Sequence, residues 1–201
     1  MSRGTRRIRG LAGLSAALLL LSAPWWLAGN SFPGLGQAPG RAAAVAAETA
    51  APILAGWLTA STDMAREAGV SPMPAQIREA LAGFVEPGVL ERVRYRVGGG
   101  SPTSMQGLAF LHPHTRAVAL DGVVVFRDPE NAAKPRYWVH EIAHLEQIRR
   151  WGLEGFAVRY LRDAAAIEGE AWAMTDRYVA WALRRELATA ADPRPSARNG
   201  G

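Results

Sequence analysis

The sequence predicts an α+β fold, mainly helical, with a small antiparallel hairpin just ahead of one helix that carries two histidines. Three observations lead there. Apolar residues recur at helical spacing through most of the chain from residue 48 onward. The segment Ala117-Val118-Ala119-Leu120-Asp121-Gly122-Val123-Val124-Val125-Phe126 sets Asp-Gly between two apolar runs, a hairpin signal. The stretch Tyr137-Trp138-Val139-His140-Glu141-Ile142-Ala143-His144-Leu145-Glu146-Gln147 contains the pattern H-E-x-x-H, with no Gly or Pro between Arg136 and Trp151. At 201 residues and 49% hydrophobic content, the chain supports one ordinary domain plus an N-terminal segment.

Taken in order, residues 1–10 are basic and residues 11–29 carry no charge. Nineteen residues at 1.5 Å each cover about 29 Å, enough to cross a bilayer core. The preceding arginines place the N-terminus in the cytoplasm and the body outside it, and Trp25 and Trp26 fall where interfacial aromatics belong. Leu27-Ala28-Gly29 is a poor cleavage site, so an uncleaved single-pass anchor in the cell membrane is favoured over a cleaved signal with a secreted or periplasmic body. Residues 30–47, rich in Gly, Pro and Ala, read as a flexible linker to a domain over residues 48–189.

Residues 48–68 are helix-like, with Ile53, Trp57, Ala60 and Met64 near i, i+4 spacing and Gly69 ending the run. A second helix starting at Ser71 or Pro72 carries Ile77, Leu81 and Phe84, and Pro87-Gly88 stops it. From Arg92 to Val97 apolar and charged residues alternate, which predicts a half-buried strand; residues 98–102 are a loop, and residues 108–111 a short strand or a helix end. After the hairpin, Asp128-Pro129-Glu130-Asn131 turns the chain into the H-E-x-x-H helix, which Pro135 opens and Gly152 closes. Trp138, Ile142 and Leu145 form its core stripe, while His140, His144, Gln147 and Trp151 form a second face. A short helical piece over residues 153–161 follows. Asp163 then caps a last helix, to about residue 189, bearing Ile167, Ala171, Met174, Tyr178 and Trp181 on one side. Residues 190–201 read as a disordered tail.

The net charge of +5 does not mark a nucleic-acid binder. Without residues 1–29, which hold four arginines and no acid, the chain has 19 basic and 18 acidic groups. There is no cysteine, which excludes disulfides and thiolate metal sites. Any metal must be held by histidine and carboxylate. His140 and His144, four apart on a helix, share a face and can reach one ion, and Glu141 lies about 100° round the helix, near enough to touch a water on that ion. These donors suit Zn²⁺, with an open position for water; manganese or iron can take the same residues. A third ligand has to come from another element, and the candidates are His112, His114, Asp163, Glu168 and Glu170.

H-E-x-x-H followed by a helix carrying E-x-x-A resembles the gluzincin type of zinc metallopeptidase. The likeness is closest to small bacterial members that read strand–turn–strand, H-E-x-x-H-x-x-Q, a helix-ending Gly, an aromatic-rich link and E-x-E-A. The matching stretch is residues 118–172, about a quarter of the chain, with Gln147, Gly152, Phe156 and Tyr160 in the corresponding places. The resemblance implies a zincin-like fold, bound Zn²⁺, a peptide or protein substrate, and Glu168, three residues before Ala171, as third ligand. Glu170 is the fallback, on a different helix face. It assigns Glu141 as the base that takes the water's proton and passes it to the leaving amine. Gln147 orients a ligand or a backbone group, and the candidates for the transition-state electrophile are Tyr160, Tyr178, His112 and His114. Val123 to Phe126 is expected as an edge strand that pairs with an extended substrate or, failing that, as plain core. The rival reading is a catalytically silent zincin-like envelope protein that acts as an interaction module.

Overall fold

A computed structural model describes residues 40–191. The expected N-terminal anchor or signal (residues 1–29), linker residues 30–39 and tail residues 192–201 lie outside the described residues. Within them the chain is mostly helical with one small mixed sheet.

Helix α1 spans Arg41–Glu67, so residues 41–47 are the helix's first two turns and not linker. An alanine-rich run propagates a helix well, and this one has a tertiary partner to stabilise it. Its buried face is Ala47, Ala51, Leu54, Leu58, Ser61 and Ala65, not the Ile53–Trp57–Ala60–Met64 stripe. Both faces are apolar enough to pass the periodicity test, and packing alone chose between them. Strand β1 (Ser71–Pro72) replaces the start of the expected second helix, which begins only at Ala75 as α2 (Ala75–Leu81). Pro87 opens helix α3 (Pro87–Arg92) instead of stopping one, because its missing N–H costs nothing at a first-turn position. Strand β2 (Arg94–Val97), helix α4 (Met105–Ala109), strand β3 (Ala117–Ala119), strand β4 (Val123–Phe126) and the one-turn helix α5 (Pro129–Ala132) follow. The region expected as a strand or helix end at 108–111 is the end of α4.

The sheet order is β1-β2-β4-β3. The hairpin pairs antiparallel as expected, with Val118 opposite Val125, and Gly122 takes φ 71° in its turn. The sheet as a whole is mixed, not antiparallel, because β2 runs parallel to β4 with Tyr95 opposite Val124. β4 is therefore an inner strand, buried at all four positions. Val124 and Phe126 enter one core cluster with Ile77, Leu81, Trp138 and Ile142, while Val123 and Val125 enter another with Leu54, Leu58, Ile148 and Phe156. Burial on both faces explains why this strand is continuously apolar instead of alternating.

Helix α6 covers Pro135–Arg162 and is broken at Gly152 (φ 70°, ψ 166°), as the expected Gly152 stop requires. Helix α7 covers Ala164–Ala191. Asp163 caps it, with Oδ1 accepting from Ala166 N–H at 2.9 Å. Both α1 and α7 pack on α6. One described segment, residues 43–67 within α1, is long and apolar enough to cross a membrane by length and composition.

Candidate metal centre

The site is built where α6 meets the start of α7. On α6, Trp138, Ile142 and Leu145 fill the core, and Trp138 Nε1 donates to Ala132 O at 2.8 Å. That anchorage turns His140 and His144 toward α7, where both are buried. The break at Gly152 reverses the chain through residues 153–162 and returns α7 alongside α6, which brings in Glu168.

Three ligand atoms converge. Glu168 Oε2 lies 3.3 Å from His140 Nε2 and 3.5 Å from His144 Nε2, and the two Nε2 atoms are 3.3 Å apart. An ion held at about 2.0–2.1 Å in tetrahedral geometry separates its ligands by about 3.3–3.4 Å. The triangle thus has the edges that a tetrahedral cation requires, and His140, His144 and Glu168 can hold a metal ion. Among the described residues, this is the group of three or more His, Asp and Glu side chains that meets closely enough to do so.

The surroundings orient these ligands. His144 Nδ1 donates to Gln147 Oε1 at 2.9 Å, and the Gln147 amide is fixed in turn by donating to Ile167 O at 3.0 Å and Glu170 Oε2 at 3.1 Å. The Gln147 bond puts the proton on Nδ1 and leaves the His144 Nε2 lone pair for the ion. Glu168 Oε1 accepts from Tyr160 Oη at 3.5 Å. His140 Nδ1 is buried and has no hydrogen-bond partner among the described residues, so nothing comparable orients that ring from behind. Instead the ring packs on Trp172 with centroids 4.4 Å apart.

The electrostatics describe a cation-shaped cradle. Burial works against a charged His144, but the hydrogen bond and charge of Glu168 outweigh it and raise the imidazole to about 9. Burial also opposes the Glu168 charge, and the bonds from His140 and His144 overcome it, holding the carboxyl near 2. Without metal, the site draws a proton to where a cation would sit. Glu141 is buried at 6% exposure and its pKa is raised, first by burial and also by Glu168, against the lowering effect of His140 and His144. The backbone amide of Ala119 on β3 also lowers it, as the smallest of these effects. Burial, then Glu168, push the Tyr160 phenol upward, so it stays a protonated donor.

The other sequence candidates fall elsewhere. The Glu170 side chain is 54% exposed and touches Gln147 and Arg150, not the ligand cluster. Two residues from Glu168 is about 200° round the helix, which points it away. Asp163 is a helix cap. Tyr178 is buried in the core against Phe84 and Trp181. The His112 carbonyl accepts from Arg127, and neither His112 nor His114 belongs to the ligand group. Trp151 packs beneath the guanidinium groups of Arg150 and Arg159. Val123 to Phe126 cannot pair with a substrate, because β2 and β3 occupy both its edges.

No family model, curated protein or solved structure matches the chain. The functional reading therefore rests on this geometry. Two contributors escaped the sequence reading. Trp172 lies four residues after Glu168 on the same helix face, a spacing that could have exposed it. Ala119 acts through its backbone amide, which leaves no mark in side-chain identity.

Proposed function

We propose that this protein is a zinc-dependent peptidase of the gluzincin type, with a zincin-like fold, held at the cell membrane by residues 11–29 with its body outside the cytoplasm. The observation that carries the reading is Glu141. A site that only stores or senses metal has no use for a buried carboxylate beside its two histidines, and burying one is costly. Zinc bound by His140, His144 and Glu168 would supply a Lewis acid that polarises a carbonyl and lowers the pKa of a water toward about 7.

The chain's own groups support the rest. Burial raises the Glu141 pKa toward the working range of a general base. Tyr160 holds Glu168, and the raised pKa keeps its proton available for donation. β3 is an edge strand next to this carboxylate. Val118 faces β4 in the ladder, so Ala117 turns its N–H and C=O, and Ala119 its C=O, to the open side, where an extended peptide can add as a further strand. The substrate-strand role thus moves from Val123–Phe126 to β3.

The full chain, loaded with zinc, is incubated with a diverse peptide library, and the products are read by mass spectrometry beside Glu141→Gln. Cleavage by the parent, absent from Glu141→Gln at equal zinc content, supports the peptidase. Equal, background-level products from both would favour the silent interaction module.

A further inference from the structure

We propose that the outward face of α1 lies on the lipid bilayer surface, so that the body is laid against the membrane along this helix and does not merely hang from its tether. The inference rests on the anchor reading of residues 11–29 and is independent of the peptidase reading.

The observation is an absence of charge where a solvated helix would have it. Between residues 42 and 62 the one charged residue is Glu48, and it is paired with Arg162 at 2.5 Å. The face opposite the core presents Val45, Thr49, Pro52, Ile53, Gly56 and Ala60, with Val45 and Ile53 54% and 52% exposed. The exposed threonines turn their hydroxyls back into the helix, Thr49 to Val45 O at 2.8 Å and Thr59 to Ala55 O at 3.0 Å. Neither needs water as a partner, which suits contact with an apolar medium. The apolar residues on α7 differ: Val179, Leu183 and Leu187 are exposed, but Asp176, Arg177, Arg184, Arg185 and Glu186 are interspersed with them.

Length and composition alone would let α1 cross a bilayer, yet its contacts forbid that. Both halves of the helix are bound to the same body. Glu48 pairs with Arg162 near one end; near the other, Ser61 Oγ accepts from Met105 N–H at 2.9 Å, Thr62 Oγ1 accepts from Asp121 N–H at 3.2 Å and Arg66 donates to Asp121 O at 2.9 Å. Ends about 40 Å apart on one body cannot lie on opposite sides of a membrane, but they can lie in its plane. Arg41, at the N-terminal end, suits an anionic headgroup, whereas Asp63 and Glu67 at the C-terminal end are exposed on this same side, so the part of the face laid on lipid is residues 45–60.

Chain length places the bilayer within reach. Residues 30–40, eleven uncharged residues, link the apolar stretch to α1 and extend at most about 40 Å. Tethering holds α1 at a high local concentration beside lipid, so a face too modest to recruit the body from solution can still settle on the surface.

The cysteine-free chain allows a direct test. Single cysteines are placed by Ile53→Cys and Ala60→Cys on this face, with Glu79→Cys on exposed α2 as control, and labelled with an environment-sensitive fluorophore. The full chain is reconstituted in vesicles of phosphatidylcholine and phosphatidylglycerol in equal parts. The expected result is blue-shifted emission at positions 53 and 60, quenched several-fold more by nitroxide-bearing lipid than at position 79, and protected from aqueous iodide. Iodide quenching equal to the control, in chain that floats with the vesicles, overturns the face alone. Protection from both quenchers also overturns it, because protein then covers the helix. Chain that fails to float overturns the face and the anchor together.

Discussion

Glu168 Oε2 lies 3.3 Å from His140 Nε2, across two helices and 28 residues of chain. The contact exists because Gly152 breaks α6 and lets α7 return along it. A metal held at this point should bind one ion per chain by elemental analysis. His144→Ala and Glu168→Ala should each lower affinity by more than about a hundredfold, since two remaining ligands hold zinc weakly. Glu170→Ala should retain the ion. Metal kept in Glu168→Ala and lost in Glu170→Ala would reverse the ligand assignment.

Gln147 ties His144 to the Ile167 carbonyl. Gln147→Leu keeps the volume but removes the group that fixes the imidazole tautomer. Metal affinity should fall about 10–100-fold, measured by competition with a chromophoric chelator. An unchanged affinity would mean that the ring needs no such support.

Glu141→Gln separates binding from chemistry. The variant should hold metal as the parent does and lose about 10²–10⁴-fold of any peptide hydrolysis. Hydrolysis at the parental rate would remove Glu141 from the mechanism.

The metal-free site is sensitive to pH in both directions. His144 is raised from 6.5 to about 9, so its contribution to stability is full below 6.5 and is lost as pH rises through 9. Glu168 is lowered from 4.5 to about 2, so its contribution is full above 4.5 and is lost as pH falls through 2. Glu141, raised from 4.5, likewise costs stability as pH climbs above that value. Thermal denaturation of metal-free protein should therefore show the His144 contribution fading as pH rises toward about 9 and the Glu168 contribution fading as pH falls toward about 2. A metal ion must displace the His144 proton, so apparent affinity should rise about tenfold per pH unit between 6.5 and 9, with measurable proton release. A flat profile over that range would contradict the proton in the cradle.

Gly152 sits at φ 70° and ψ 166°, a conformation open in practice only to glycine, and a Cβ there would meet nothing within 4 Å. Gly152→Ala should cost about 1–3 kcal/mol by denaturant unfolding, from backbone strain alone. Loss of metal affinity at retained stability would show that the return of α7 is more sensitive than the fold.

By itself the sequence determined what is local. Helical spacing placed His140 and His144 on one face of α6, Asp-Gly set the β3–β4 turn, Asp163 and Gly152 marked helix ends, and the Glu168 alternative was already in view. These features follow from residues within a few positions of one another, where periodicity, caps and turn chemistry act. Tertiary structure decided everything that depends on a distant partner. Which apolar face of α1 turned inward, whether β4 was an edge or an inner strand, and whether Glu168 or Glu170 met the histidines were all settled by packing between elements far apart in the chain. A strand reads the same at an edge as in the middle of a sheet, and a helix with two apolar faces favours neither. The distinction arises only when another element covers one side.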